Sequence, residues 1–491
     1  MRRTIAAAAA CLGLATTALT VGTTAAAPGG VPGPAGASLP EQAPDEALET
    51  AAAVLDGEVP PLAAQTVTAP AAPDASLALR DLLVALPRLT GEDRDRAEAL
   101  LARPTDRAAD PYGDGYTTRA NRSCSTNVCV HWVPTTRDAP PSRRWVRTTM
   151  KVMQGVWRTE VGALGYRRPV PDGRKGGNRK LDVYLKELGS QGLYGYCAPE
   201  GTRLGSARAA SGYCVLDDDF ARSQFGRKPV RTLRVTAAHE FFHAVQFAYD
   251  HLEHRWLLES TATWVEERYA DAVNDNRQYL PGGQLWRPGV PLDREASGYG
   301  NWVFFEYLGQ RFGNAYVRRV WEAAARPGTG SVAAVRRALP RGVTFTGTYT
   351  AFAMANVTPG RSYPEGESWT QPGVRRRELG AGADVDLAPR LDRLSATRSR
   401  FAPGEALTGR RWQLRVVVDG PARASAPGAG VVRVAPDGSV VRTRISLDAQ
   451  GRGRVRVPFN VRRARDVYVV LANAGSDRRR FRAKVDVVRR G

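Results

Sequence analysis

The sequence predicts an α+β protein in which a domain with a mixed sheet and helices, residues 111–360, precedes an antiparallel β-sandwich, residues 384–491. Two observations support this fold class. Strand-like and helix-like segments are mixed from 111 to 225, and the stretch 226–358 is mainly helical. From 384 onward, short β-rich runs recur roughly every ten residues between Gly and Asp turns. Residues 361–383 are rich in Pro, Gly, Ser and Arg, so we expect a linker there.

The overall composition is that of a globular chain. Of its 491 residues, 43 % are hydrophobic and 24 % are charged, which is enough to build the cores of two or three domains. No apolar run beyond residue 27 approaches the length of a membrane-spanning helix, which excludes a polytopic membrane protein. The formal net charge is +21. Specific nucleic-acid binding is nonetheless not expected, because no helix-turn-helix, zinc-finger or RRM signature accompanies the arginines.

The first 27 residues have the features of an export signal. Arg2 and Arg3 give a positive start, residues 4–22 form an apolar stretch, and Ala25, Ala26 and Ala27 supply a small-residue cleavage site. A single membrane anchor is the alternative interpretation. We therefore expect a secreted, extracellular protein with no transmembrane segment in the mature chain.

Residues 28–110 are expected to form an Ala/Pro-rich, acidic pro-segment or linker with a helical part. Residues 28–73 are rich in Ala, Pro and Gly, with little that could form a core, whereas leucines recur at helical spacing over 76–102. The whole region carries 6 Arg against 14 Asp and Glu. An acidic segment ahead of a basic body would suit an inhibitory pro-peptide, and a solvated N-terminal extension is the alternative.

The exported chain contains four cysteines, which in an oxidising compartment predict two disulfides. Cys124 is close in sequence to Cys129, and Cys197 is close to Cys214, so these pairings are favoured among the three that are possible. A four-thiolate zinc site is the rival interpretation, but the spacing lacks C-x-x-C pairs.

The chemistry-bearing motif is His239-Glu240-Phe241-Phe242-His243. The surrounding segment, Val235 to Tyr249, contains neither Pro nor Gly and is predicted to be a helix. Residues four apart lie on one face of a helix, so His239 and His243 can bind one zinc ion from the same side. Glu240 projects about 100° round the helix, a position that suits a general base acting on a zinc-bound water. The alternative is a pair of core histidines.

A third protein ligand is expected because catalytic zinc sites keep one position for water. Gln246 and Tyr249 occupy the positions that hold Gly and His in the longer H-E-x-x-H-x-x-G-x-x-H pattern, which excludes that class. A second predicted helix, Trp256 to Glu266, would present Glu259 to the two histidines if it runs antiparallel to the first.

The combination of H-E-x-x-H with W-L-x-E-x-x-A resembles the glutamate-ligand (gluzincin-like) branch of the zincin metalloproteases. A tighter resemblance is to a family of exported bacterial metalloproteases with an H-E-F-F-H-x-x-Q core, a W-L-x-E-x-x-A-T-W helix and a Y-G-Y-C segment. The resemblance covers roughly residues 120–360. It implies one catalytic zinc ion held by His239, His243 and Glu259, with Glu240 as the base. Because the gap between His243 and Glu259 is shorter than in the aminopeptidases, Glu266 and Glu267 are alternative ligands.

Further candidates rest on weaker signals. Tyr299, in a turn before an aromatic helix, is a candidate oxyanion donor, with a core tyrosine as the alternative. Glu266 would either orient a zinc-bound histidine or, the preferred interpretation, lie in solvent.

The other histidines and the strand before the motif are interpreted as follows. His251 and His254 are expected at the surface, and His131 within a strand is expected to be structural. The strand ending at Cys214-Val215-Leu216 is a candidate edge for binding an extended peptide. Asp217 to Asp219 would bind calcium or, as preferred, form a solvated strand end.

The sequence thus predicts a secreted zinc-dependent endopeptidase whose partners are protein or peptide substrates. The alternative is a non-catalytic binding protein that keeps the zincin fold. Its C-terminal module has 24 Lys and Arg against 10 Asp and Glu over 381–491, which would attach it to an anionic cell-surface polymer.

Overall fold

The computed structural model describes residues 43–58, 74–106, 115–202 and 208–490. All four ranges fall within the unit formed by residues 36–491. The expected signal peptide, residues 1–27, lies outside the described residues. Within the described ranges, no helix combines the length and apolar character needed to cross a membrane.

Three helices from the region 28–110 cover one face of the central sheet. Leu48, Leu79 and Leu82 from these helices are buried in one cluster with Tyr184 and Val215 of the sheet. The helices are therefore packed against the sheet and are not a solvated extension. The first of them lies within residues 28–73, a stretch whose composition predicts little that could form a core. They are α1 (Pro44–Leu55), α2 (Ala75–Ala85) and α3 (Gly91–Leu100), of which the last two confirm the predicted helical part.

A mixed five-stranded sheet forms the centre of the N-terminal part, as expected. Its strands are β1 (Asn121–Cys124), β2 (Val128–Trp132), β3 (Leu181–Lys186), β4 (Gly195–Thr202) and β5 (Ala210–Asp217), in the order β1-β2-β3-β5-β4. The three inner strands are parallel and the two outer ones antiparallel to their neighbours. The expectation that β5 is the edge is wrong, because β4 pairs along it with Cys197 opposite Cys214. The edge is β4.

The other face of the sheet is covered by α4 (Arg143–Trp157) and by α6 (Pro229–Asp250), which carries the predicted motif. A π-helical turn follows α4, α5 (Arg222–Phe225) precedes α6, and α7 (Arg255–Ala270) packs against α6. The segment of α6 from Val235 to Asp250 is buried without interruption. A helix surrounded on all sides must be apolar all round except where polar groups have partners, which matches its sequence.

Four more helices complete this part of the chain. Trp256, Trp264, Trp302 and Trp321 are among its largest fully buried side chains and fill the space between α7 and the later helices. The helices are α8 (Trp302–Phe312), α9 (Ala315–Ala324), α10 (Ser331–Ala338) and α11 (Phe345–Ala355).

Both favoured disulfides form. The first joins Cys124 to Cys129 across the β1–β2 hairpin, and the second joins Cys197 to Cys214 and ties β4 to β5. Because the four sulfurs are bonded in pairs, they do not form the rival four-thiolate zinc site.

The C-terminal region is β-rich, as predicted, with two main sheets around one apolar core. The strands are β6 (Arg376–Leu379), β7 (Asp384–Leu387), β8 (Arg390–Leu391), β9 (Ser395–Pro403), β10 (Trp412–Asp419), β11 (Pro427–Val434), β12 (Val440–Arg444), β13 (Arg452–Pro458), β14 (Asp466–Asn473), β15 (Arg479–Arg480) and β16 (Arg482–Arg489). The orders of the two sheets are β13-β10-β16-β7 and β12-β11-β14-β9-β6, and their pairing is antiparallel except between β6 and β9.

The expected linker, residues 361–383, is incorporated into the fold. It contributes β6, and its Tyr363 and Trp369 are buried, with the Trp369 ring against Trp302. A stretch rich in Pro and Gly therefore packs here because its few aromatic residues find an apolar surface.

Several polar residues expected in solvent are instead buried. Asp217 accepts hydrogen bonds from the backbone N–H groups of Leu188, Gly189, Asp219 and Phe220, so the solvated strand end is a wrong prediction. The carboxylate joins the end of β5 to the loop after β3.

The remaining histidines have structural roles. His251 is also buried rather than on the surface, and its ring is bonded to the carbonyl of Arg208. His254 caps α7 by accepting from the Trp256 N–H. His131 bonds Asp182 at 2.7 Å, which agrees with a structural role.

Arg103 is the principal polar link between the N-terminal helices and the sheet. Its guanidinium contacts the carboxylates of Asp172, Asp182 and Glu200, and its side chain is 1 % exposed. Three buried carboxylates thus share one arginine that lies just beyond α3.

We expect Arg103→Met to lower the free energy of unfolding by about 3–5 kcal/mol, because it leaves buried carboxylates without their cation. Urea unfolding followed by circular dichroism measures this loss. The matched control is Arg94→Ala, which removes an exposed arginine paired with Glu98 and should cost no more than about 0.5 kcal/mol. Equal losses in the two variants would show that Arg103 does not anchor the N-terminal helices.

Candidate metal centre

His239 and His243 lie one turn apart on α6, as the motif predicts. Their ring centroids are 4.9 Å apart, and the residues are 5 % and 0 % exposed. The apolar residues between and around them pack into the main core, which fixes the face of α6 that carries the two rings. Both imidazoles are therefore held inside the protein.

Glu259 approaches both histidines from α7. Its Oε2 atom lies 3.3 Å from His239 Nε2, and its Oε1 atom lies 3.8 Å from His243 Nε2. The two alternative carboxylates face other groups: Glu266 bonds the far nitrogen of His239, and Glu267 accepts from Asn276 Nδ2. Glu259 is thus the carboxylate that α7 brings between the two Nε2 atoms.

Four atoms at this point have no hydrogen-bond partner among the described residues: His239 Nε2, His243 Nε2 and both carboxylate oxygens of Glu259. Buried polar atoms normally have partners, so a converging set without them calls for an explanation. One ligand atom from each residue lies within 4.8 Å of the others. Zinc bonds of about 2.0–2.1 Å place tetrahedral ligands roughly 3.4 Å apart. The two histidines and Glu259 therefore fit a zinc ion in donor type and in spacing.

The other ring nitrogens are fixed by neighbouring side chains. His239 Nδ1 is 2.7 Å from Glu266 Oε1, and His243 Nδ1 is 2.7 Å from Gln246 Oε1. Gln246 in turn donates to the carbonyl of Leu258, which ties its orientation to α7. Bonds of this kind make Nδ1 the protonated nitrogen and leave Nε2 as the lone-pair donor. The expectation of Glu266 in solvent is therefore wrong.

The electrostatics of the pocket favour a positive charge at its centre. Burial lowers the pKa of His239, but the carboxylates of Glu259 and Glu266 outweigh it and raise that pKa well above its usual range. Burial alone would raise the pKa of Glu259, yet the nearby histidines lower it. A cation bound between these groups would be stabilised by the same carboxylates.

Glu240 lies beside the two histidines in a second polar contact. It is 4 % exposed, and its Oε2 accepts a 2.8 Å hydrogen bond from the Ser76 hydroxyl of α2. Burial, followed by the negative charge of Asp74, raises the pKa of Glu240 to about 8. A carboxylate with a pKa in this range can both take up and release a proton near neutral pH.

Tyr299 is also brought to the centre. Its ring stacks on that of His239, with centroids 5.5 Å apart and planes at 6°, and its hydroxyl donates to Asp74 Oδ2 at 3.0 Å. The preceding Gly298 leaves little room against Glu259, since an added Cβ would lie 3.0 Å from the Glu259 Cβ. Ser260 holds this turn by donating to the Gly298 carbonyl.

Sequence reasoning missed three of the residues around the centre. Gln246 ends the H-E-F-F-H-x-x-Q core, but the sequence assigns it no role beyond that match. Asp74 and Ser76 lie more than 160 residues from the motif, and a single capping Asp on a leucine-rich helix gives no signal of a distant site. Such long-range contacts become visible only when the fold is known.

The chain matches no family model and no curated protein. Among solved structures, the pre-peptidase C-terminal domain of a collagenase from Bacillus anthracis aligns at 5 % identity over 24 % of this chain and 100 % of that one, with a TM-score of 0.17. The carbohydrate-binding module CBM28, specific for non-crystalline cellulose, aligns at 14 % identity over 22 % and 76 %, with a TM-score of 0.14.

A family GH115 4-O-methyl-α-glucuronidase with specificity for decorated arabinogalactans aligns at 9 % identity over 67 % of this chain and 54 % of that one. Its TM-score is 0.15. Similarities this low carry no argument about fold or function, so the interpretation of the site depends on its own geometry.

We expect Glu266→Gln to weaken zinc binding by about 10–100-fold, because the neutral amide no longer strengthens His239 as a donor. Competition with a chromophoric chelator measures the affinity. Glu267→Gln is the matched control: it makes the same change one residue along α7, where the side chain faces Asn276. Zinc affinity that falls in neither variant, or equally in both, would contradict the assigned role of Glu266.

Proposed function

We propose that the chain is a secreted zinc-dependent metalloprotease with a zincin-like catalytic domain of the glutamate-ligand branch. The observation that carries the proposal is the convergence of buried donor atoms without hydrogen bonds from His239, His243 and Glu259 beside the buried carboxyl group of Glu240. Two histidines and one glutamate form a known ligand set of catalytic zinc. Core histidines, the alternative, would have a hydrogen bond on each ring nitrogen, whereas the Nε2 atoms here lie 3.3 Å and 3.8 Å from Glu259 without one.

The residues divide the work of peptide hydrolysis among them. His239, His243 and Glu259 would hold the metal, and zinc when bound supplies a Lewis acid that polarises a carbonyl and makes water acidic. Glu240 takes a proton from the attacking water and returns it to the leaving nitrogen. The Tyr299 hydroxyl, which here donates to Asp74, would donate to the carbonyl oxygen as negative charge develops on it.

The peptide substrate would bind along β4. Among the described strands, β4 is at the sheet edge beside α6, and its backbone runs antiparallel to β5. An extended peptide can add to such an edge through main-chain hydrogen bonds, which recognise any sequence and favour cleavage within a chain. Secretion is supported by the two disulfides, which persist in oxidising compartments.

The proposal is tested by zinc content and peptide cleavage measured on the same preparations of the full chain. We expect about one zinc per chain, lost in Glu259→Ala because a ligand is removed. Glu240→Gln should keep its zinc while cleavage of a quenched fluorescent peptide library falls by about 10²–10⁴-fold, because the base is removed.

The matched control for the Glu240 variant is Asp95→Asn, which neutralises an exposed carboxylate on α3. It should leave both zinc and cleavage unchanged. Absence of zinc from the wild-type chain would contradict the proposal, and so would cleavage that survives Glu240→Gln.

A second candidate function, binding to an anionic cell-surface polymer, is favoured by a row of arginines on β13. Arg452, Arg454 and Arg456 are exposed at alternate positions, so they lie on one face of the sheet. Arg415 of the neighbouring β10 lies opposite Arg456, and its guanidinium is paired with Asp486. The row would attach a protease to a surface or, if the centre is not catalytic, would be the main function of the chain.

We expect charge reversal at Arg454 and Arg456 together, both to Glu, to reduce binding to immobilised teichoic acid several-fold and to flatten its salt dependence. The matched control is the pair Arg326→Glu and Arg341→Glu, which changes the net charge equally at exposed positions outside the β-rich region. Binding that depends only on net charge would decrease equally in both double variants and would rule out a specific role for the row.

A further inference from the structure

The carboxylate of Asp74 is held at the metal centre by two hydrogen bonds. Asp74 caps α2, where its Oδ1 accepts from the Ser76 N–H at 2.7 Å. Its Oδ2 accepts from the Tyr299 hydroxyl at 3.0 Å. The cap fixes the side chain to its own helix, and Tyr299, which stacks on His239, fixes it to the centre.

Asp74 belongs to a second set of possible metal ligands that overlaps the first. One ligand atom each from Asp74, Glu240 and His243 lie within 4.8 Å of one another, and His243 is also a member of the set with His239 and Glu259. No set at that distance joins all four residues among those described, so the two sets are linked by His243 and by Tyr299, which bonds Asp74 and stacks on His239. A centre with two histidines and one glutamate has one ligand position left.

The start of α2 also occupies the groups that a substrate would need. Ser76 is fully buried, donates to Glu240 Oε2 and accepts from the backbone N–H of Cys197 on β4. The same residue therefore engages both the base and a backbone donor of the peptide-binding edge. Further along the helix, Arg80 donates to the carbonyls of His251 and Glu253 at the α6–α7 turn, which holds α2 in place.

Repulsion between the carboxylates near His243 favours a metal ion shared by both sets of ligands. The carboxylates of Asp74 and Glu259 both lie within a few ångströms of His243, and the interior around them is apolar. Like charges brought together away from water repel strongly unless a cation lies between them. A divalent ion held by His239, His243, Glu259 and Asp74 would neutralise the two carboxylates that bind it.

We propose that Asp74 is the fourth protein ligand of the metal centre and that this contact holds the peptidase activity of the full chain low. This inference rests on the proposed metalloprotease function. With Asp74 bound, the position needed by the attacking water is filled, and with Ser76 on Glu240 and Cys197, the base and the peptide-binding edge are blocked. Loss of the Asp74 ligand frees the metal position, and full activation also requires Ser76 to leave Glu240 and Cys197. The region 28–110 thus acts as an inhibitory segment through one carboxylate and one hydroxyl.

The test uses the full chain loaded with cobalt(II), whose visible absorption reports the number and kind of ligands. Asp74→Asn removes the charged ligand but keeps a side chain that caps helices well, so α2 should stay folded. We expect the cobalt spectrum to change, removal of the metal by a chelator to become at least about tenfold faster, and peptide cleavage to rise. Asp95→Asn, an exposed change of the same kind on α3, is the control and should match the wild type.

The outcomes separate this inference from the proposed function. If Asp74→Asn has the wild-type spectrum and the wild-type rate of metal loss, Asp74 is not a ligand, although a zinc protease remains possible on the other data. If neither the wild type nor the variant takes up cobalt or zinc, the proposed metalloprotease function is contradicted, and the ligand role of Asp74 is contradicted with it. A changed spectrum without any cleavage supports the ligand assignment and contradicts hydrolysis.

Discussion

The burial of converging ligand atoms without hydrogen bonds between α6 and α7 is the constraint on which the rest of this structure depends. Two imidazole nitrogens and a carboxylate face one another in an apolar interior, where a positive charge, as a proton on His239 or as a bound cation, offsets the buried carboxylate. Their positions are fixed by rigid helices and by Glu266 and Gln246, which orient the two rings. Metal binding would therefore contribute to folding as well as to chemistry.

The same centre connects parts of the chain that are remote in sequence. Tyr299 comes from the turn before α8, and Asp74 and Ser76 come from the start of α2. Because α2 is packed on the sheet and Arg103 lies among buried carboxylates, the N-terminal helices are part of the fold rather than an appendage. An inhibitory segment built in this way stabilises the domain while it covers the site. Its release would expose the apolar sheet face that carries Tyr184 and Val215.

Sequence reasoning recovered what depends on local pattern. Helical spacing located the H-E-x-x-H helix and the helix with Glu259, and the short sequence separation within each cysteine pair predicted both disulfides. It failed where a partner lies far away in sequence. Asp217 and Glu266 were expected in solvent because nothing nearby shows their backbone and histidine partners. The edge strand was misassigned because strand order is set by packing, and Asp74 has no local signature at all.

The most direct test of the central claim is X-ray absorption at the zinc edge, measured on the full chain after zinc loading. The account predicts one site with only nitrogen and oxygen neighbours at about 2.0–2.1 Å and an imidazole signal from two histidines. In His243→Gln the signal of one imidazole should disappear. No bound zinc, a disordered shell of water, or an unchanged spectrum in His243→Gln would contradict a metal centre built from His239, His243 and Glu259.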